Sequence, residues 1–148
     1  MPRIVREAGV SWEGNLARGT GTLTAASSGA FVDLPFSIAA RIAVAPDQTS
    51  PEELLAAAHG GCFTTSLAGE LTKAGTPPEH LDVRCTITMD EVEGKGHQIV
   101  HSQIEAHGTV PECDEAAFAQ AAEAADASCP FSALIRASAT VAVSATLS

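Results

Sequence analysis

The sequence predicts an α+β fold: a small N-terminal antiparallel sheet, a long central helix, and a second antiparallel sheet carrying a second helix. Three observations point there. The first fifty residues are rich in Gly, Thr and Ser with only short apolar groups. A helical run poor in charge starts abruptly after Thr49. The later strand-like segments follow one another without the helical crossovers that a doubly wound sheet requires. With 148 residues and 45% hydrophobic content, the chain reads as a single domain over residues 1–148. A chain of that size buries roughly two thirds of the surface its unfolded form exposes.

In the first fifty residues, Gly14-Asn15 and Ser27-Ser28-Gly29 punctuate a meander of short strands. Its last strand is predicted over Phe36–Val44, where Phe36, Ile38, Ala40, Ile42 and Val44 alternate with Ser37, Ala39, Arg41 and Ala43. That period places Arg41 away from the apolar face. Ser50-Pro51-Glu52-Glu53 then supplies an N-cap serine, a proline at the first helical position and a glutamate three residues after the cap. The helix is predicted to run past Cys62 to about Lys73, with Gly75 as its stop signal. Its near absence of charge predicts burial on most sides.

Two alternating strands follow. Val83, Cys85, Ile87 and Met89 share one face of the first, and Val100, Ser102, Ile104, Ala106 and Val110 one face of the second. Asp114 is positioned to cap a second helix through Phe118, Ala121, Ala122 and Ala125, ending near Ser128. Cys129-Pro130 restarts a short turn of helix. The final strand, with Ala139, Val141, Val143, Ala145 and Leu147 on one face, forms a half-buried edge of the second sheet.

Composition excludes several functions. A net charge of −10 with eight Lys and Arg leaves little to neutralise phosphates, so neither nucleic acid nor an anionic membrane is an expected partner. Met1-Pro2-Arg3-Ile4-Val5-Arg6-Glu7 lacks the apolar run of a signal peptide, and no segment approaches the roughly 20 apolar residues of a membrane span. A cytoplasmic, soluble protein is expected. The four cysteines are spaced by 23, 28 and 16 positions with no Cys-x-x-Cys pair. His97, His101 and His107 lack cysteine or carboxylate neighbours at ligand spacing, so no metal is expected.

Cys62, in Ala-His-Gly-Gly-Cys-Phe, and Cys129, in Ala-Ser-Cys-Pro-Phe-Ser, lie 67 positions apart among small and apolar residues. Half-buried thiols in such settings suggest a redox pair, provided the fold brings them together. A cysteine reacts as its thiolate, and Cys62 lies about three turns into its helix, too deep for the helix dipole to activate it. It needs a cation from elsewhere: Arg41, on an otherwise apolar stretch, is the first candidate and Arg18 the second. His59, three residues before Cys62, is either a base for that cysteine or a histidine hydrogen-bonded into the core, and the second is the commoner use of such a residue. Cys85 reads as an inert strand cysteine facing the core. Cys113, between Glu112 and Asp114, is a bystander whose thiolate the neighbouring carboxylates oppose.

Taken together, the run Thr49-Ser50-Pro51-Glu52-Glu53-Leu54-Leu55-Ala56-Ala57-Ala58-His59-Gly60-Gly61-Cys62-Phe63, the Ala-Ser-Cys129-Pro130 element and Trp12-Glu13-Gly14 resemble the osmotically inducible protein C family, related to organic hydroperoxide resistance proteins. The resemblance spans nearly the whole chain and is closer to the osmotically inducible branch. It implies a thiol-dependent peroxidase for organic hydroperoxides and hydrogen peroxide, working as an intertwined homodimer with active sites at the subunit interface. By that resemblance Cys62 is the peroxidatic thiolate, Cys129 the resolving thiol, and Glu52 the family's glutamate. The family's arginine corresponds to Arg41 better than to Arg18. No flavin or metal cofactor is implied, and an external dithiol, of lipoyl type for example, resets the pair.

Ten residues of helix separate Glu52 from Cys62, about 15 Å along the axis. If Glu52 helps to hold an arginine over Cys62, the pair must therefore come from the partner chain. Two other readings use the same residues: a hydroperoxide-sensing switch, which has no basic patch or nucleic-acid module to act through, and a small-molecule binding module in which the cysteines are inert packing.

Overall fold

In the computed structural model, which describes residues 1–148, the chain divides into two units, Met1–Pro51 and Glu52–Ser148. In the first, β1 (Gly9–Glu13), β2 (Thr20–Thr24) and β3 (Leu34–Phe36) form the expected antiparallel meander in the order β1-β2-β3. Gly14, at φ +90°, opens the β1–β2 turn. Asn15 closes it by accepting from the Gly19 N–H at its carbonyl (2.7 Å) and from the Arg18 N–H at Oδ1 (3.0 Å).

The strand predicted over Phe36–Val44 is corrected. Only Phe36 belongs to β3, and Ile38–Ile42 form a short helix, α1. Ser37 caps it, its Oγ accepting from the Ala40 N–H at 3.2 Å. Alternation misled here because Ala39, Ala40 and Ala43 fit either phase of a two-residue period, while Ile38 and Ile42 are also i and i+4 of a helix turn. Arg41 thus lies in the last turn of a helix.

The second unit is built on α2, Pro51–Lys73. It ends as the sequence signals: Gly75 takes φ +82°, its N–H donates to the Thr72 carbonyl, and the Thr76 N–H donates to the Leu71 carbonyl, each at 3.0 Å. This pair of bonds is the Schellman closure that glycine permits. Within one chain α2 is buried along one stripe only, His59, Gly60, Phe63, Leu67 and Leu71, and not on most sides as its lack of charge suggests. Ala57, Gly61 and Thr65 remain exposed. Small, uncharged residues tolerate that position as well as a buried one.

β4 (His80–Val92) and β5 (Gly96–Thr109) pair antiparallel, with a register shift between Thr88 and Met89. α3 (Glu115–Ser128) starts at Asp114, whose carboxylate accepts from the Ala117 N–H at 2.8 Å. α4 (Pro130–Arg136) leads to β6 (Thr140–Leu147). β6 occupies the edge of the sheet, order β4-β5-β6, but runs parallel to β5. The second sheet is therefore mixed, not antiparallel. Alternation fixes which face a strand buries but not its direction, and the α3–α4 crossover carries the chain back to the end of the sheet from which β5 started.

The core of this unit joins Phe63, Leu67 and Leu71 of α2, Ile104 and Ala106 of β5, and Phe118, Ala121, Ala122 and Ala125 of α3. Cys129 belongs to the same cluster. Full burial of each large side chain contributes roughly 1.5–3 kcal/mol, so the core fixes the α2, α3 and β5 positions on which the cysteines depend.

Candidate active site

Cys62 lies in the middle of α2, and Cys129 is the residue that ends α3 and starts α4. Both are free thiols, and the fold brings them close enough that Cys129 acts on the ionisation of Cys62. Cys129 is 1% exposed and Cys62 half-buried. An outside oxidant therefore reaches Cys62 first. Cys129 caps α4 without a capping bond from its side chain, which leaves its sulfur to Cys62. Pro130 has no N–H, so the next backbone donor is Phe131, and it is the group that favours the Cys62 thiolate.

Burial, and then the Cys129 thiol, push the Cys62 pKa up; the Phe131 N–H opposes them without cancelling them. The net effect disfavours the Cys62 thiolate, in keeping with its depth in the helix.

Both ring nitrogens of His59 face serine hydroxyls. Its Nδ1 lies 2.7 Å from Ser102 Oγ on β5 and its Nε2 lies 2.8 Å from Ser132 Oγ on α4. All three residues are fully buried. Burial lowers the His59 pKa, with Asp126 opposing and Arg136 assisting, so the ring is neutral and is held in the core. The two serines were missed by sequence reasoning, although a signal existed. Ser102 interrupts an apolar strand face and His59 an Ala-Gly run, and two polar residues in predicted core need partners.

Cys85 faces inward as predicted, with its Sγ 3.4 Å from Ser102 Oγ and 3.8 Å from His59 Nδ1. Burial raises its pKa despite the Ser102 and Gly60 hydrogen bonds, which suits an inert thiol. Cys113 donates to the Asp114 carbonyl at 3.5 Å. His101 and His107 point from the outer sheet face to Thr140 and Thr146, each bond 2.6 Å. No group of three His, Cys, Asp or Glu side chains is placed to hold a metal ion. No helix is long and apolar enough to cross a membrane.

Arg41 lines a pocket of about 300 Å³ in the first unit, walled by Trp12, Phe36 and Ile38. The Trp12 and Phe36 rings pack at 5.6 Å between centroids. Arg18 is exposed in the β1–β2 turn and lines no such pocket. Glu52 lies in the first turn of α2. The helix is continuous to Cys62, so the same chain holds these two residues about 15 Å apart along the axis.

Comparison with known proteins agrees with this architecture. Residues 45–144 match the family model described as OsmC-like protein. The peroxiredoxin OsmC of Escherichia coli K12 is 32% identical over 130 residues, covering 88% of this chain and 89% of that protein; that of Shigella flexneri matches to the same extent. Among solved structures, an organic hydroperoxide resistance protein from Elizabethkingia anophelis superposes with a TM-score of 0.75 at 18% identity, covering 99% of this chain and 100% of that one. The organic hydroperoxide resistance protein OhrB of Bacillus subtilis gives 0.72 at 21% identity, covering 95% and 98%. At these identities the likeness establishes the shared α+β fold.

Proposed function

The chain belongs to the OsmC-like protein family, and on that premise we propose that it is a thiol-dependent peroxidase reducing organic hydroperoxides, and hydrogen peroxide, to alcohol and water. The observation that carries this reading is the meeting of the Cys62 and Cys129 thiols across 67 positions of sequence. The peroxiredoxin name of the curated relatives supports it.

In the proposed cycle the Cys62 thiolate attacks the distal peroxide oxygen. An S–O bond forms as the O–O bond breaks, and the departing alkoxide leaves as alcohol after taking a proton. The Cys129 sulfur then attacks the Cys62 sulfenic acid. The S–S bond forms, and hydroxide leaves as water with the Cys129 proton. An external dithiol reduces the disulfide by exchange, so the cycle uses no flavin and no metal.

Since burial and Cys129 hold the Cys62 pKa up, the first step requires a cation. Arg41 fills that role in this reading, stabilising the thiolate and the developing oxyanion, while the apolar walls of its pocket suit the organic part of the substrate. Glu52 holds the arginine. Its distance from Cys62 along α2 supports a homodimer with sites at the interface, in which the partner subunit supplies this arginine–glutamate pair.

The test is consumption of cumene or t-butyl hydroperoxide with dithiothreitol or dihydrolipoamide. Wild type is expected to turn over, Cys62→Ser to be inactive, and Cys129→Ser to stop after forming the sulfenic acid. Turnover surviving in Cys62→Ser would refute the mechanism.

A further inference from the structure

The start of α4 is fastened to α2 at two neighbouring points. Cys129 and the Phe131 N–H engage Cys62, and Ser132 engages His59 Nε2 at 2.8 Å. His59 and Cys62 are three residues apart on α2, hence on adjoining positions of one helix side. The other edge of the same imidazole holds Ser102 at 2.7 Å. Ser102 lies on β5, the middle strand of its sheet. The ring thus ties a central strand to the turn that delivers Cys129.

Cys129 itself is packed in the core, but the polar contacts at this end of the connection are few. Cys129 makes no side-chain cap, and its N–H reaches the Asp126 carbonyl at a long 3.3 Å. The Arg136–Asp126 ion pair, at 2.6 Å, secures only the far end of α4. A neutral imidazole offers one donor and one acceptor, so both of its edges are fully used by the two serines and neither is left for proton transfer to Cys62.

We propose that His59 is a positioning residue of the redox pair: through Ser132 it holds the first turn of α4 on α2, keeping the Cys129 sulfur within bonding reach of Cys62 while the disulfide forms. The proposal rests on the peroxidase reading only for its catalytic consequence. A disulfide needs Cα atoms roughly 4.4–6.8 Å apart with a restricted dihedral, and a misplacement of about 1 Å can slow a positioned reaction by about 100-fold. The bond to Ser132 should therefore govern the second chemical step and not the first.

Ser132→Ala and Ser102→Ala each remove one hydroxyl from the same buried ring, and only the first releases α4. Two readouts separate them: the equilibrium of the Cys62–Cys129 disulfide against a dithiothreitol redox buffer, which involves no peroxide, and the rate at which the sulfenic acid formed by one equivalent of cumene hydroperoxide is lost to dimedone trapping. Ser132→Ala is expected to lower the equilibrium constant and to slow resolution, each about tenfold, with the first step within twofold of wild type. Ser102→Ala is expected to leave both within about threefold of wild type, so that a general loss of stability is distinguished from a loss of positioning.

His59→Leu, which removes both bonds, is expected to lower the equilibrium at least as far as Ser132→Ala, and it stands in for that variant should it fail to fold. A folded Ser132→Ala or His59→Leu within twofold of wild type overturns the proposal, as does a Ser102→Ala effect equal to that of Ser132→Ala. A wild type that forms the disulfide in the redox buffer yet consumes no hydroperoxide would refute the peroxidase reading alone, and the equilibrium measurements would still decide the role of His59.

Discussion

The backbone N–H of Phe131 acts on the sulfur of Cys62, so the turn that brings the second thiol also brings a polar group that favours the thiolate of the first. That group lowers the Cys62 pKa, but burial and the Cys129 thiol outweigh it and the net shift is upward. The pair as one chain holds it brings the two thiols near each other and disfavours the Cys62 thiolate.

Replacing Arg41 should expose this imbalance. If Arg41 supplies the cation, Arg41→Ala leaves Cys62 with its upward shift, and alkylation by iodoacetamide should titrate at higher pH than in wild type. Loss of a charged donor aimed at the reacting oxygen typically lowers the rate by about 100-fold or more, and the first step should slow accordingly while resolution is spared. Superimposable alkylation profiles would remove Arg41 from the site and make Arg18→Ala the next variant to measure.

His59 makes stability depend on pH in a fixed direction. Its folded pKa lies below the ordinary 6.5, so the unfolded chain binds the proton more readily. The stabilisation is full above pH 6.5 and is lost as pH falls from there towards the folded pKa. The slope contributed in that window is at most about 1.4 kcal/mol per pH unit. Asp126 and Arg136 face the ring with opposite effects, and neither is changed by His59→Gln. Urea titrations from pH 7 down to pH 5 should show the variant's stability falling less steeply than that of wild type. Parallel slopes would mean that the folded chain takes up the His59 proton as readily as the unfolded one, and that its pKa is not lowered.

Gly108 tests the core that sets the spacing of the two cysteines. A Cβ there would stand 2.7 Å from Phe118 Cζ and 3.2 Å from Leu81 Cδ2, and Phe118 is fully buried. The aromatic ring has nowhere to retreat, so Gly108→Ala is expected to lower stability by about 1–3 kcal/mol, read from a shifted urea midpoint. A midpoint equal to that of wild type would show that α3 can slide over β5 at little cost, and with it the turn that carries Cys129.

These relationships were unequally legible in the sequence. The cap at Asp114, the stop at Gly75 and the inward set of Cys85 follow from local rules and appear in the structure as read. Residues 38–42 did not, because alanine satisfies a strand period and a helix equally. The direction of β6 is a property of the crossover and not of its residues. The meeting of Cys62 with Cys129 was a conditional reading that the core of α2, β5 and α3 realises. Ser102 stands out as a polar residue on an apolar strand face, but it and Ser132 gain meaning only once a buried imidazole lies against them.

The face of α2 opposite its buried stripe offers the sharpest test of the dimer. Gly61 is exposed there, beside Cys62, and a Cβ on it would meet nothing within 4 Å in one chain. Gly60, one residue earlier, would already press on Cys85 at 3.3 Å. Relieving a mid-helix glycine is worth about 1 kcal/mol, so Gly61→Ala should raise stability by up to that amount. Gly61→Glu gains helix propensity too, and on an open surface it would be harmless. If a second copy covers this face, as supply of the partner subunit's Glu52 to Cys62 requires, the added carboxylate is buried without a partner. The dimer should then dissociate in sedimentation, with hydroperoxide turnover lost while the helical circular dichroism persists. A Gly61→Glu protein that stays dimeric and active would place the subunit contact elsewhere. The 15 Å of helix between Glu52 and Cys62, about ten residues' rise, would then stand against Glu52 having any part in the chemistry.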